Sequence, residues 1–236
     1  MLQSSGFGAE LPARQVAANF TLNFEDILKL AKMADIDEFN KLLKPILIPR
    51  IVESQGHKQV EEFIKTTLTN MNFHTEVDEF VDKTPNGPKT FRNIIGTYSL
   101  EAERRLLLAC HYDSKILEGE KFLGATDSAV PCALILALAK KLEPFLKKQQ
   151  NPRITLQLVF FDGEEAFGNW TNTDSLYEID RINAFMLLDL LGAKNPQIAH
   201  QIGHGTKPLF DKIVEIERQL NESGHLQKAE KVFHSV

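Results

Sequence analysis

The chain has 236 residues, with 27 basic against 32 acidic side chains, for a formal net charge of −5. At 43% hydrophobic and 25% charged, with 13 Gly and 10 Pro, the composition is that of an ordinary globular protein, which excludes disorder, collagen-like repeats and a disulfide-dense mini-protein. No apolar run reaches the roughly 18 residues of a spanning helix. A mildly acidic chain without a basic stretch offers no electrostatic footprint for nucleic acid.

In chain order, residues 24–48 read as helical, with Phe24, Ile27, Leu28, Leu30 and Ala31 on one apolar face and Phe39, Leu42 and Leu43 continuing it after a break at 34–37. Pro45 and Pro49 end that reading. A second amphipathic helix covers about 57–70, through Val60, Phe63, Ile64 and Leu68. Residues 73–81 and 90–98 alternate or carry β-branched side chains, and the breaker cluster Thr84-Pro85-Asn86-Gly87-Pro88 between them predicts a hairpin or neighbouring strands. Residues 106–110 form a uniformly apolar strand. A helix over 129–146 follows, entered through Ser128 with Pro131 in its first turn, and its apolar run predicts burial all round. Two further buried strands, 154–161 and 184–190, and an amphipathic helix over 207–221 complete an α/β sheet with helices on both faces. Residues 1–23 read as an N-terminal extension and 24–236 as a single domain.

In such sheets ligands collect beyond the carboxyl ends of the strands. Strand 106–110 ends in His111-Tyr112-Asp113-Ser114, strand 154–161 in Asp162-Gly163-Glu164-Glu165, and strand 184–190 carries Asp189 at its end; the loop before the 129–146 helix holds Asp127. Taken singly, His-x-Asp is a turn, Glu164-Glu165 a solvated loop and Asp127 a helix cap. Asp189, inside an apolar strand, needs a partner. Together they would repel one another unless a cation neutralised them, and a His/Asp/Glu set suits zinc. Of two neighbouring glutamates, one can ligate a metal while the other serves as general base or acid.

Four blocks carry a resemblance: Ala109-Cys110-His111-Tyr112-Asp113-Ser114-Lys115; Gly124-Ala125-Thr126-Asp127-Ser128-Ala129-Val130-Pro131-Cys132; Phe160-Phe161-Asp162-Gly163-Glu164-Glu165-Ala166-Phe167; and Leu187-Leu188-Asp189-Leu190-Leu191-Gly192-Ala193. In wording and order they resemble the animal glutaminyl cyclases, the glutaminyl-peptide cyclotransferases. The resemblance implies a zinc-aminopeptidase-like fold, three-layer α/β/α with a mixed central sheet, and one zinc ion per chain held by Asp127 and Glu165. It makes Glu164 the general base and acid, Asp189 the carboxylate that supports it, and Trp170 a pocket-lining side chain. It pairs Cys110 with Cys132 in a disulfide. The implied substrates are peptides or proteins with N-terminal glutamine, cyclised to pyroglutamyl with release of ammonia by a monomer.

That pairing favours the secretory pathway and adds weight to three glycosylation sequons, Asn19-Phe20-Thr21, Asn169-Trp170-Thr171 and Asn221-Glu222-Ser223, although the opening residues show no basic-then-apolar signal pattern. Two departures from the family are expected to matter. After Asp174-Ser175-Leu176-Tyr177 the family adds a surface helix, whereas residues 178–181 lead almost directly into the next strand, so that strand is expected to be displaced or the sheet locally reorganised. The family also continues past the position of Val236 with a third, histidine zinc ligand and an aspartate, so a truncated chain with an incomplete fold is expected. His111 is the candidate to replace that ligand; His200 and His204 read as loop, His225 and His234 as polar tail, and His57 and His74 as surface residues. The competing readings are an inactive, truncated isoform and a zinc aminopeptidase of the same fold, which needs two metals.

Overall fold

The computed structural model describes residues 23–117, 119, 121–149, 153–165, 181–194, 198–199, 206–226 and 233–234. The chain divides into two compact units, one of Asp35–Lys194 and one of Met1–Ala34 with Asn195–Val236. In the smaller unit, α1 (Phe24–Ala31) starts at Asn23, whose side chain accepts from the Glu25 amide, and lies against α5 (Lys207–Glu222). The short strands β6 (Ile198–Ala199) and β7 (Phe233–His234) pair in parallel; neither is signalled by the sequence pattern.

In the larger unit, the break expected near residue 34 separates α1 from α2 (Ile36–Ile46), which Asp35 caps through the Glu38 amide. Pro45 stands in the last turn, where it ends the helix as expected. Ser54 caps α3 (Gln55–Asn70). Strands β1 (His74–Thr84) and β2 (Gly87–Thr97) form the hairpin, with Thr84 paired to Gly87 across Pro85-Asn86. Gly87 takes φ 92, a conformation that favours glycine.

The sheet order is β1-β2-β4-β3-β5, where β3 is Arg104–His111, β4 Ile154–Phe161 and β5 Ile182–Leu187. The hairpin joins β4 antiparallel, while β4, β3 and β5 run parallel, which makes the sheet mixed as expected. Helix α4 (Val130–Leu146) connects β3 to β4.

Side chains alternate across the sheet. Ile94, Leu108, Cys110, Leu158 and Phe160 face a core built with Ile46 of α2, Val60, Ile64 and Leu68 of α3, and Ile135, Leu136 and Ala139 of α4. Ile95, Leu107, Ala109 and Val159 form a smaller cluster on the other face. Each fully buried aliphatic side chain contributes about 1.5–3 kcal/mol.

Three local expectations are corrected. Helix α4 is not buried all round, because Leu134 and Leu138 are exposed. Ser128 does not cap it: the helix begins at Val130 without a side-chain cap, and the Ser128 hydroxyl is engaged elsewhere. Strand β5 ends at Leu187 rather than 190 and is not buried on both faces, because it is an edge strand with Phe185 and Leu187 exposed and Met186 turned to the core. The segment after Tyr177, Trp170, the sequons at Asn19 and Asn169, and His200 and His204 lie outside the described residues.

Candidate metal centre

The parallel strands β4, β3 and β5 end on one edge of the sheet, and α4 begins there because it must return from the end of β3. His111, the last residue of β3, is buried and stands at the centre of the group. Its Nε2 lies 2.8 Å from Asp127 Oδ1, 3.7 Å from Asp189 and 3.8 Å from Glu164; its Nδ1 lies 3.3 Å from Asp113. Among the described residues, His111, Asp127 and Asp189 offer ligand atoms all within 4.8 Å of one another.

Each carboxylate is placed by a separate local device. Asp127 belongs to the wound segment 125–129 ahead of α4, whose Asp127–Ser128 peptide is cis. That segment opens on Gly124 at φ 51, where an added Cβ would stand 2.4 Å from the Asp127 carbonyl oxygen, so only glycine fits. Asp189 follows β5 and is half-buried, and the Ser128 hydroxyl donates to its Oδ1 at 2.6 Å. Glu164 and Glu165 follow β4 across Gly163 at φ 79. Buried Asp113 holds that turn, since its carboxylate accepts from the Glu164 amide at 3.2 Å and the Glu165 amide at 3.0 Å.

The electrostatics follow from the crowding. Burial works to lower the His111 pKa, but the hydrogen bonds and charges of Asp113, Asp127 and Glu164 outweigh it and lift it to about 10. Burial raises the Glu164 carboxyl above its usual range, with Asp113, Asp189 and Asp127 adding to the shift against the opposing pull of His111. Burial and then Asp127 push Glu165 up to about 7.

Glu165 Oε1 is buried and has no hydrogen-bond partner among the described residues, while its Oε2 is 3.7 Å from Lys115 Nζ. A buried carboxylate oxygen without a partner, beside a second carboxylate, is what a divalent cation would satisfy. Imidazole nitrogen with carboxylate oxygens is a donor set that zinc accepts. A metal at His111 requires the neutral ring, so its proton would leave on binding.

The sequence reading thus brings Asp127, Glu164, Glu165 and Asp189 to one edge, with His111 among them. Asp113, read from the sequence only as part of a turn, has a positioning role, because His-x-Asp at a strand end sends both side chains the same way. His57 is a correction. It is fully buried on α3, not at the surface; its Nε2 bonds Asp162 Oδ1 at 2.8 Å and its ring stacks on Tyr112 at 4.8 Å. Asp162 Oδ2 also accepts from the Arg92 amide, so this pair anchors the chain just before the acidic turn. His74 and His225 are exposed, as expected. Cys110 and Cys132 are buried thiols with sulfurs 2.7 Å apart, and Cys132 Sγ also meets the His111 carbonyl at 3.1 Å.

A mixed α/β sheet with an acidic, histidine-centred cluster at the carboxyl ends of its parallel strands defines a metallopeptidase-like protein. The family model for peptidase family M28 matches residues 93–234. The chain belongs to that family and, within it, to the glutaminyl-peptide cyclotransferases. It is 40% identical over 207 residues to a glutaminyl-peptide cyclotransferase of Drosophila melanogaster, covering 82% of this chain and 58% of the relative. With that of Dictyostelium discoideum it shares 33% over 274 residues, 96% of this chain and 75% of the relative. The crystal structure of Macrostomum lignano glutaminyl cyclase superposes with a TM-score of 0.80 at 31% identity, over 93% of this chain and 77% of that one. A Zn-dependent exopeptidase from Parabacteroides distasonis shares the fold, with a TM-score of 0.63 at 18% identity, over 86% of this chain and 77% of that one. The chain therefore spans a little over half the length of its Drosophila relative.

Proposed function

We propose that the chain is a zinc-dependent glutaminyl-peptide cyclotransferase, acting as a monomer on peptides with an N-terminal glutamine. The observation that carries the reading is the buried, unpartnered Glu165 oxygen beside Asp127, in a cluster that holds more carboxylate than its one histidine balances. Asp127 and Glu165 are the proposed zinc ligands, with His111 at hydrogen-bond distance from Asp127. The bound ion would polarise the substrate's γ-carbonyl. Glu164 takes a proton from the substrate α-amine as its nitrogen bonds the carbonyl carbon of the side-chain carboxamide, then passes it to the leaving amide nitrogen as that C–N bond breaks and ammonia departs. Its raised pKa suits a base that must also return the proton. Asp189, near the same ring nitrogen of His111 as Glu164, supports that glutamate. Trp170 would hold the bent substrate; because the ring closure is intramolecular, holding that conformer is most of the task.

The proximity of Cys110 and Cys132 supports their closing as a disulfide, and with it passage through the secretory pathway and glycosylation at the sequons. One observation favours a second reading. His111, Asp127 and Asp189 form a donor set that does not include Glu165, so a second metal beside the proposed zinc, and with it aminopeptidase chemistry, would suit the cluster. Incubation of the zinc-loaded chain with a glutamine-initiated peptide separates the two. Pyroglutamyl peptide and ammonia are the expected products; release of free amino acids would overturn the cyclotransferase reading.

A further inference from the structure

Arg50 lies between α2 and α3 and is fully buried, yet its guanidinium is hydrogen-bonded to main-chain carbonyls: Gly124 at 2.8 Å, Ile48 at 3.3 Å, Ile46 at 3.5 Å and, by a short contact, Leu123. Its Nε has no partner among the described residues. Burying a cation costs several kcal/mol, so a chain that needed only packing here would be better served by an apolar side chain. The contacts show what the charge holds in place. Leu123 and Gly124 are the entry to the segment that carries Asp127, and the Gly124 carbonyl accepts both from Arg50 and from the Ala129 amide at 3.0 Å, closing that segment on itself. The fit is tight: a Cβ on Gly124 would come within 2.9 Å of Arg50 Nη2.

The other end of Arg50 is fixed to the chain just beyond the strand that carries His111. The Arg50 amide donates to Ser114 Oγ at 2.9 Å, and the Ser114 amide donates to the Arg50 carbonyl at 3.2 Å. One residue thus links the loop of Asp127 to the chain that follows His111 and Asp113. Its positive charge also faces Asp113 and Asp127, which offset part of the cost of its burial.

We propose that Arg50 is a positioning residue for the metal centre, whose guanidinium clamps the Leu123 and Gly124 carbonyls and so holds Asp127 against His111. This deepens the zinc reading above, but part of its test is independent of it. Arg50→Lys supplies one ammonium where the guanidinium spans several carbonyls, Arg50→Met keeps only bulk, and Ser114→Ala loosens the main-chain anchor while leaving the guanidinium intact. Leu68→Ala, in the core of α3, serves as a control matched for lost thermal stability.

Hydrogen exchange at the Ala129 amide is measured on the chelator-treated chain. Zinc affinity by competition and the visible spectrum of the Co2+ form are measured in parallel. The Arg50 variants are expected to exchange Ala129 at least about tenfold faster and to bind zinc about 10–100-fold more weakly, the usual loss when support behind a ligand is removed, with an altered Co2+ spectrum. Ser114→Ala should move the same readouts by less, and Leu68→Ala should move only the melting temperature. If Arg50→Lys does not fold, Ser114→Ala decides. Wild-type exchange at Ala129 and wild-type zinc affinity in variants that merely melt earlier would overturn the clamp. Absence of zinc binding by the wild-type chain would refute the zinc reading, while the exchange data would still decide whether Arg50 holds the segment.

Discussion

Asp113 accepts hydrogen bonds from the Glu164 and Glu165 amides and pairs with the His111 ring, so three residues of the cluster depend on one buried carboxylate. The roles proposed around it separate by experiment. Glu164→Gln should lower kcat by about 10²–10⁴-fold with zinc affinity kept, because it removes proton transfer alone. Asp127→Asn should weaken zinc binding first and lose activity as a consequence. Parallel zinc titrations and steady-state rates check both. His57 makes a different prediction, one for stability. Truncating it to alanine leaves Asp162 Oδ1 buried without its partner, and breaking such a buried pair should cost about 3–5 kcal/mol in urea unfolding, with zinc affinity little changed. The place of His57 was legible in retrospect. Positions 57, 60, 61, 64 and 68 form the buried stripe of α3, but two of those five side chains are polar, and a reading that counts only apolar residues leaves them outside.

At the scale of elements, the parts that position the site were those whose pattern was least ambiguous. Short apolar strands that end in polar residues gave β3 and β4, and the parallel arrangement then brought their carboxyl ends together. The boundaries of β5 were not legible, because Leu188 and Leu190 continue the apolar run past the last ladder pair, Ala109 with Leu187. Only tertiary pairing ends the strand there, and it moves Asp189 from the strand into the loop where Ser128 reaches it. The same contact explains why Ser128 is not the helix cap that its position suggests: its hydroxyl is committed to Asp189. Strands β6 and β7 have two residues each, too short for any periodicity. Core packing makes the element-scale prediction. Leu68 is fully buried in the core against β2, beside Gly96, so Leu68→Ala should lose about 2–5 kcal/mol of unfolding free energy. Because Leu68 lies in the α3 core and not at the strand ends, a loss of zinc affinity in that variant would contradict the placement of the site at the strand ends.

For the molecule as a whole, the cysteine pair brings the end of β3, which delivers His111, against the start of α4, which follows directly on the segment that delivers Asp127. Burial holds the Cys110 thiol well above its ordinary pKa, so exposed-thiol chemistry is not its role. If the pair closes as proposed, a non-reduced digest will contain the Cys110–Cys132 cross-linked peptide, and reduction will cost about 3 kcal/mol, the entropy released by opening a loop of 22 residues. The central claim, that this acidic cluster binds zinc and cyclises glutamine, concerns the chain taken entire. Its most direct test is ammonia release from a glutamine-initiated peptide while zinc is titrated into the chelator-treated, full 236-residue chain. The rate is expected to rise with zinc and saturate at one equivalent, with mass spectrometry showing the pyroglutamyl product. Stoichiometric zinc with no ammonia at any concentration, or ammonia release that ignores zinc, would contradict it.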